Sequence, residues 1–476
     1  MPCCEARARA RVLFCYHSRA ALLPATQATT VNPCPRLFHP HLHLSITHRE
    51  TMAGVLLALM IAASVLPGVP LWPAGLLGWC AVLLLTHRLG QRQRLQSAWL
   101  IGLGLAGMIW GVLQGMPLRL DQALASNQGL VGLLAAVSFL RLVTRPGGTG
   151  DSEPLPRGRR ALWRTLLGVH LFGAVINLST VVILGDRMTS HGRLGRRRAL
   201  ALTRGFAAAA FWSPFFSAMA AALIYAPGAR MGVVVLAGLP MAALSLWLTA
   251  RDIDPEDPTL GAPFIGYPMH FAALWIPGLL VLIVLVAHSA APGVSILATI
   301  TLSAPLLSTA ILLAQEGGAR TLTTLGEHIR YGLPSVVNEL ALFLAAGVLA
   351  AGLTAATGSA AGWLPFSHFG AAQASLLLLA MVGIAALGVH PVITLATAGV
   401  WLAPLHPDPN LLAITLLMGW AIGVPANPLS GLHLILQGRY GIDGYAFLRW
   451  NTGYVLRCLG AAILLLHLYA TLLGVA

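Results

Sequence analysis

Met418-Gly419-Trp420-Ala421-Ile422-Gly423-Val424-Pro425-Ala426-Asn427-Pro428 is apolar enough for a bilayer interior, yet two prolines three residues apart break it. Proline removes an internal helix hydrogen bond and clashes with the preceding turn. Gly423 and Gly431 flank the break on either side. The pattern is that of a helix interrupted inside a membrane, where freed backbone groups must line a protein cavity. A second copy lies 214 residues upstream, Arg204-Gly205-Phe206-Ala207 through Ser213-Pro214. Leu167-Gly168-Val169-His170 recurs as Leu387-Gly388-Val389-His390, at an offset of 220. Asn127-Gln128 with the apolar run to Val137 recurs as Asn338-Glu339 with the run to Val348, at an offset of 211. Three anchors in one order at nearly constant offset predict two structural repeats about a shared centre, the plan of many secondary transporters.

Composition sets the solvent. The 476 residues are 57% hydrophobic and 9% charged, with mean hydropathy +0.78. Soluble domains carry about 25% charged residues. No Asp, Glu, Lys or Arg occurs from Pro258 to Gln315 or from Leu340 to Pro407. Such runs hold several spans of about 20 apolar residues each, and their Ala/Leu/Val/Gly make-up predicts helices rather than a barrel. The net charge of +14 comes from 29 basic residues, all arginine, set in short segments between apolar runs. That distribution orients loops toward the cytoplasm and argues against nucleic acid as a partner. Phosphate-binding Gly-Lys-Ser/Thr loops, Cys-x-x-Cys pairs, axial-ligand histidine pairs and a sizeable soluble domain are missing from the sequence, which removes the usual marks of ATP-driven pumping, haem redox work and cytosolic catalysis.

The fold expected is an all-α polytopic membrane protein with about 11–13 membrane-embedded helical elements. Residues 1–51 read as a disordered or mis-annotated tail, 52–118 as N-terminal scaffold helices and 119–250 as the first transport repeat. Residues 251–330 read as connector and scaffold, 331–450 as the second repeat and 451–476 as a last transmembrane helix. Arginines at 88–94, 141–164 and 187–204 all belong on the cytoplasmic side by the positive-inside rule. Only one apolar segment, 165–185, separates the last two groups, so it is expected to enter and leave on the same side as a re-entrant hairpin. The over-long segment 370–403 is expected to be the matching hairpin from the opposite side. Two inverted repeats follow, each with a re-entrant hairpin and a Pro-broken helix.

Neutral polar groups are cheaper to bury in a membrane than charges, and they mark the expected substrate and ion ligands. These are Asn177, Ser179, Thr180 and Ser213 in the first half, with His390, Thr394, Asn427 and Ser430 in the second. His170 and Glu339 are the candidates for coupling, because histidine titrates near neutral pH and an intramembrane carboxylate is functional by default. Neither a resident metal nor a catalytic group is expected, and sodium is the one ion in view as a cofactor.

Hairpin followed by Pro-broken helix, repeated once, resembles the ion transporter superfamily of divalent-anion/sodium symporters, citrate carriers and arsenite or sodium/proton antiporters. Val424-Pro425-Ala426-Asn427-Pro428 is similar to that family's Pro-Asn break, and Gly388-Val389-His390-Pro391 to its second hairpin. Asn177-Leu178-Ser179-Thr180 echoes its Ser-Asn-Thr tip, while Trp212-Ser213-Pro214 lacks the asparagine. The likeness covers about residues 120–450. It implies hairpin tips and broken helices that meet at the membrane centre, bind solute and ion, and move together.

The function expected is secondary active transport of a small anionic solute across the bacterial inner membrane, coupled to sodium or protons by alternating access. Expected partners are the lipid bilayer and the solute, with a homodimer left open. Two rivals remain: a membrane-embedded enzyme of envelope lipid or polysaccharide synthesis, and a non-transporting membrane subunit.

Overall fold

Helix boundaries follow the prolines, glycines and capping residues. The computed structural model describes residues 48–66, 68–144, 155–189, 194–253, 263–267, 274–291, 293–357 and 366–475. The expectation for residues 1–51 falls almost wholly outside them. The first helices are α1 (His48–Ser64), α2 (Trp72–Leu84), α3 (Gln91–Leu113), α4 (Leu120–Ala125) and α5 (Gln128–Val137), the last running into a 3₁₀ turn, Ser138–Leu142. Next come α6 (Gly158–Ile176), α7 (Ser179–Thr189), α8 (Arg196–Ala209), α9 (Ser217–Tyr225) and α10 (Met231–Asp252). Then follow α11 (Trp275–Ala290), α12 (Ile296–Glu316) and α13 (Gly318–Glu327), and a π turn and a 3₁₀ turn lead into α14 (Val337–Thr357). The chain closes with α15 (Ala371–Ala386), α16 (Pro391–Leu402), α17 (Pro409–Ala426), α18 (Gly431–Tyr440) and α19 (Gly444–Leu473). The order that runs from α5 to α10 recurs from α14 to α19.

Local chemistry explains the second set of boundaries. His390, Asp408, Ser430 and Asp443 each accept a backbone N–H of the first turn they precede, which satisfies donors the helix start leaves free. Pro391 and Pro409 stand in the first turn of α16 and α17, where a missing N–H costs nothing. The first half turns differently. Asn177 ends α6 at φ 58°, ψ −145°, a region few side-chain-bearing residues occupy, and its Oδ1 accepts the Leu178 N–H at 3.0 Å. The matching turn in the second half uses Gly388 at φ 96°, where glycine meets no such penalty.

Seven helical stretches among the described residues are long and apolar enough to cross a bilayer, by length and composition. No strand occurs among those residues beyond one isolated bridge, Arg157 to Ile265. The chain is thus an all-α protein of multi-pass membrane type. In the α17–α18 stretch 89% of the apolar window is buried by protein, against 28% on α3. α17 is therefore central, while α3 shows Trp99, Leu103, Ile109 and Trp110 to its surroundings.

Pairwise contacts fix directions. Gly205 packs on Leu166 and Val169, Gly173 packs on Phe206, and Ser213 reaches Ala174, so α6 and α8 run the same way. The last turn of α7 meets the first of α8 through Arg198 and the Met188 carbonyl, so α7 runs back along them. In the second half Met381 meets Gly419 and Ala385 meets Gly423, which makes α15 and α17 parallel. Gly399 of α16 and Pro409 of α17 both contact the 225–228 segment, so α16 returns to where α17 begins. Between halves the sense reverses. Ser126 meets Gly347, Asn127 donates to the Phe343 carbonyl, and Arg141 donates to the Gly332 carbonyl, so α5 and α14 are antiparallel. α3 instead runs with α14: Gly104, Gly107 and Gly111 lie against Val348, Gly352 and Ala355.

Candidate functional site

Each broken helix is fastened to the hairpin of its own half. Ser213 Oγ donates to the Ala174 carbonyl at 2.5 Å and accepts the Phe215 N–H at 3.2 Å. Asn427 Nδ2 donates to the Val389 carbonyl at 2.9 Å, and its Oδ1 accepts the Leu429 N–H at 2.8 Å. Both residues are almost fully buried. The matched pair expected from sequence to face a solute thus spends its hydrogen bonds on holding hairpin tip to helix break. Buried polar groups are normally satisfied in this way.

The other candidates of the second half sit in the same knot. His390 Nδ1 accepts the Val392 N–H, and its ring lies edge-on to Trp420 with centroids 5.3 Å apart. Thr394 Oγ1 bonds the Pro391 carbonyl, and Ser430 Oγ accepts the His433 N–H. In the first half His170 Nε2 accepts the Trp212 indole N–H at 3.0 Å. Thr180 is buried with its hydroxyl free of any partner.

Three sequence candidates do meet in one place. Asn177, Ser179 and Glu339 line a cavity of about 480 Å³ between the tip and returning arm of the first hairpin, the end of α5, the start of α14, and α18. Its walls are otherwise mostly apolar, with Val137, Val182, Ile183 and Ile435 among them. Sequence reasoning did not single out the arginine that lines it, Arg141. That arginine was assigned to the loop 141–164, but it closes the 3₁₀ turn after α5 and points into the cavity wall. Its Nη1 donates to Ser179 Oγ at 3.3 Å, its Nη2 to Ser335 Oγ and the Gly332 carbonyl at 3.4 Å each, and its Nε to the Ser138 carbonyl at 3.3 Å. All four contacts are long and go to neutral acceptors. No carboxylate lies in ion-pair range of Arg141 among the described residues. The available signal was its position: it follows an apolar run interrupted only by Ser138.

Arg204 shows what a structural arginine looks like in this protein. Sequence put it in the loop 186–204, yet it lies inside α8 and is 1% exposed. It donates to Asp252 at 2.7 Å, to Asn451 Oδ1 at 2.8 Å and to the Trp450 carbonyl at 2.9 Å, and stacks over Tyr454. Asn451 in turn donates to the Pro425 carbonyl, so this network braces the second break from the first half. Arg204 is paired and enclosed, whereas Arg141 is unpaired and opens onto a cavity.

A second, smaller cavity of about 330 Å³ lies toward the other end of α14, lined by Asn127, Tyr225, Ala351, Thr354 and Val400 among others. Glu339 and Thr354 are separated by about 22 Å of helix at 1.5 Å per residue. Close to each cavity a tyrosine of one half rests on a glycine of the other: Tyr225 on Gly399, and Tyr440 on Gly185. Tyr440 also donates to Asp186 Oδ1 at 2.9 Å, beside the Arg439–Asp186 ion pair. Hydrogen bonding from Arg439 holds the Asp186 carboxyl below its usual range. No group of three or more metal-ligating side chains occurs among the described residues. No protein-family model matches the chain, and no curated protein is similar to it.

Proposed function

We propose that the chain is a secondary transporter of a small anion in a bacterial inner membrane. One observation carries this: Arg141 lines a cavity between apolar helices, held by two serine hydroxyls and two backbone carbonyls, without a carboxylate partner. A charge in such a place is costly without a direct counter-charge, and a solute anion would give the guanidinium the contact that no carboxylate among the described residues makes. Guanidinium donors are already fanned out, and Ser179, Ser335 and Asn177 stand beside them with further hydrogen-bonding groups. The apolar walls suit the non-charged part of the solute.

Transport, rather than binding alone, is supported by the backbone. Two helical hairpins and two interrupted helices occupy matched positions in the chain, and α5 and α14 run antiparallel, as inverted repeats require. In this reading α6–α7 and α15–α16 are re-entrant hairpins entering from opposite faces. Solute and coupling ion would pass between the hairpin pair and the α5–α14 wall by alternating access.

Detergent-purified protein is to be heated in the presence of nitrate, acetate, succinate and phosphate. Specific anion binding raises the unfolding temperature by mass action, and Arg141→Gln should remove the rise while Arg230→Gln should keep it. Proteoliposomes are then loaded with the anion that stabilises best. Stabilisation without any Arg141-dependent flux would leave a binding protein and end the transporter reading. An undiminished rise in Arg141→Gln would place the anion elsewhere.

A further inference from the structure

We infer that Glu339 is the proton carrier of this cavity, so that the anion is moved together with a proton. Coupling of this kind presupposes that the cavity binds a solute anion at Arg141, as proposed above. Glu339 is half-buried, lines the same cavity as Arg141, and its side chain makes no ion pair and no hydrogen bond to another residue among the described residues. The two charges interact across the space without touching. With Glu339 ionised, the empty cavity holds one cation and one carboxylate and is neutral as a whole.

An arriving anion upsets that balance. It takes the field of Arg141 for itself and adds a second negative charge beside the Glu339 carboxylate. Like charges in a poorly solvated space disfavour joint ionisation. The cavity regains neutrality when one proton from water adds to a Glu339 carboxylate oxygen, giving the neutral acid. The guanidinium, the anion and the neutral acid then sum to zero charge, the cheapest state for moving through an apolar environment. When the anion leaves on the other side, Arg141 again favours the carboxylate, and the proton returns to water there.

Neighbouring titratable groups do not offer the same service. His328, on the π turn before α14, is engaged by Ser138 at 2.9 Å and packs edge-on against Phe139. His390 faces Phe343 of α14 but caps α16. His433 of α18 stacks on Phe447 and bonds the Asn427 carbonyl. Glu50 of α1 is tied to Arg88 and His87, Asp121 of α4 to Arg119, and Asp186 of α7 to Arg439 of α18. At the position matching Glu339 in the first half stands Gln128, which cannot take up a proton.

The test is proton uptake on adding nitrate or acetate to weakly buffered, purified protein, read with a pH indicator beside the thermal shift. Linkage is reciprocal, so at full coupling anion affinity should rise about tenfold for each unit fall in pH. Glu339→Gln is expected to lose the proton uptake and to flatten the pH dependence of the anion-induced shift. Glu339→Asp, which keeps a titratable group, should restore uptake with a displaced pH profile and guards against a folding defect in the first variant. Stabilisation by the anion with no proton uptake, or uptake that persists in Glu339→Gln, overturns the coupling and leaves the anion site standing. Absence of stabilisation by every anion tried overturns the anion site and the coupling with it.

Discussion

The two ends of α14 share one framework and differ in chemistry. Toward one end the 3₁₀ turn after α5 contributes Ser138 and Arg141 to the larger cavity; toward the other, the residues 213 positions on are Ala351 and Thr354, lining the smaller one. The tyrosine-on-glycine contacts recur at both, with Gly185 and Gly399 separated by 214 positions. The tyrosine-on-glycine packing is alike at the two ends, and the charges are not. On the proposed reading a solute that needs an unpaired cation has its site at the Arg141 end; at the Thr354 end the smaller cavity is lined by neutral groups, and the arginine of the adjoining cavity, Arg119, is paired with Asp121.

The largest effect expected on this contrast comes from Arg141→Gln. Loss of hydrogen bonds to a charged group costs about 1.5–3 kcal/mol, or roughly 10–100-fold in anion affinity, measurable by titrating the thermal shift. Thr354→Gln at the matched position should leave that affinity within about twofold, since no charge is lost there. Equal losses in the two variants would break the contrast.

Next in size are the glycines under the tyrosines. A Cβ on Gly399 meets the Tyr225 backbone oxygen and Cβ, whereas one on Gly185 meets the far end of the Tyr440 ring. The stem of a side chain cannot swing aside as its tip can. Gly399→Val should cost about 1–3 kcal/mol of stability by overpacking, and Gly185→Val less, as a smaller drop in unfolding temperature. A larger drop for Gly185→Val would show that the contacts at the two ends are not equivalent supports.

The fasteners of the breaks come third. Asn427→Ala leaves the Val389 carbonyl and the Leu429 N–H without their side-chain partner, for about 1–3 kcal/mol. Ser213→Ala removes one neutral hydroxyl, which donates to Ala174 and accepts from Phe215, and should cost about 1 kcal/mol. Since both side chains face their own hairpins, anion affinity should change far less than stability. The smallest effect belongs to Asp186. Its carboxyl is ionised more readily in the folded protein because Arg439 holds it. The Arg439 pair therefore stabilises at neutral pH, and the benefit disappears as pH falls through the folded-state value. With 41% of the side chain exposed, solvent screening limits the gain to about 0.5 kcal/mol, so Asp186→Asn should lower the unfolding temperature slightly at neutral pH and not in acid.

Where helices stop was legible in the sequence, because prolines, Gly388 and the capping residues act within a few residues of themselves. Gly388-Val389-His390-Pro391 and Asn427-Pro428 could be placed at breaks for that reason. Which way a polar side chain turns at a break was not legible. Ser213 finds a partner 39 positions away at Ala174, and Asn427 one 38 positions away at Val389. Arg141 was misread for a similar reason. An arginine ending an apolar run has the form of an orienting charge, and only Ser179 and Ser335, 38 and 194 positions away, reveal that it faces a cavity.

The glycine face between α3 and α14 has a mechanical consequence. Gly104, Gly107 and Gly111 set one main chain directly against the other at Val348, Gly352 and Ala355, as small residues do where helices approach closely in membranes. Side chains normally form a compliant layer between helices, and here that layer is missing. The outer side of α3 is a sheath of Trp99, Leu103, Ile109 and Trp110. A push on that sheath would therefore pass to α14 at Val348, Gly352 and Ala355 with no side-chain cushion between the two backbones.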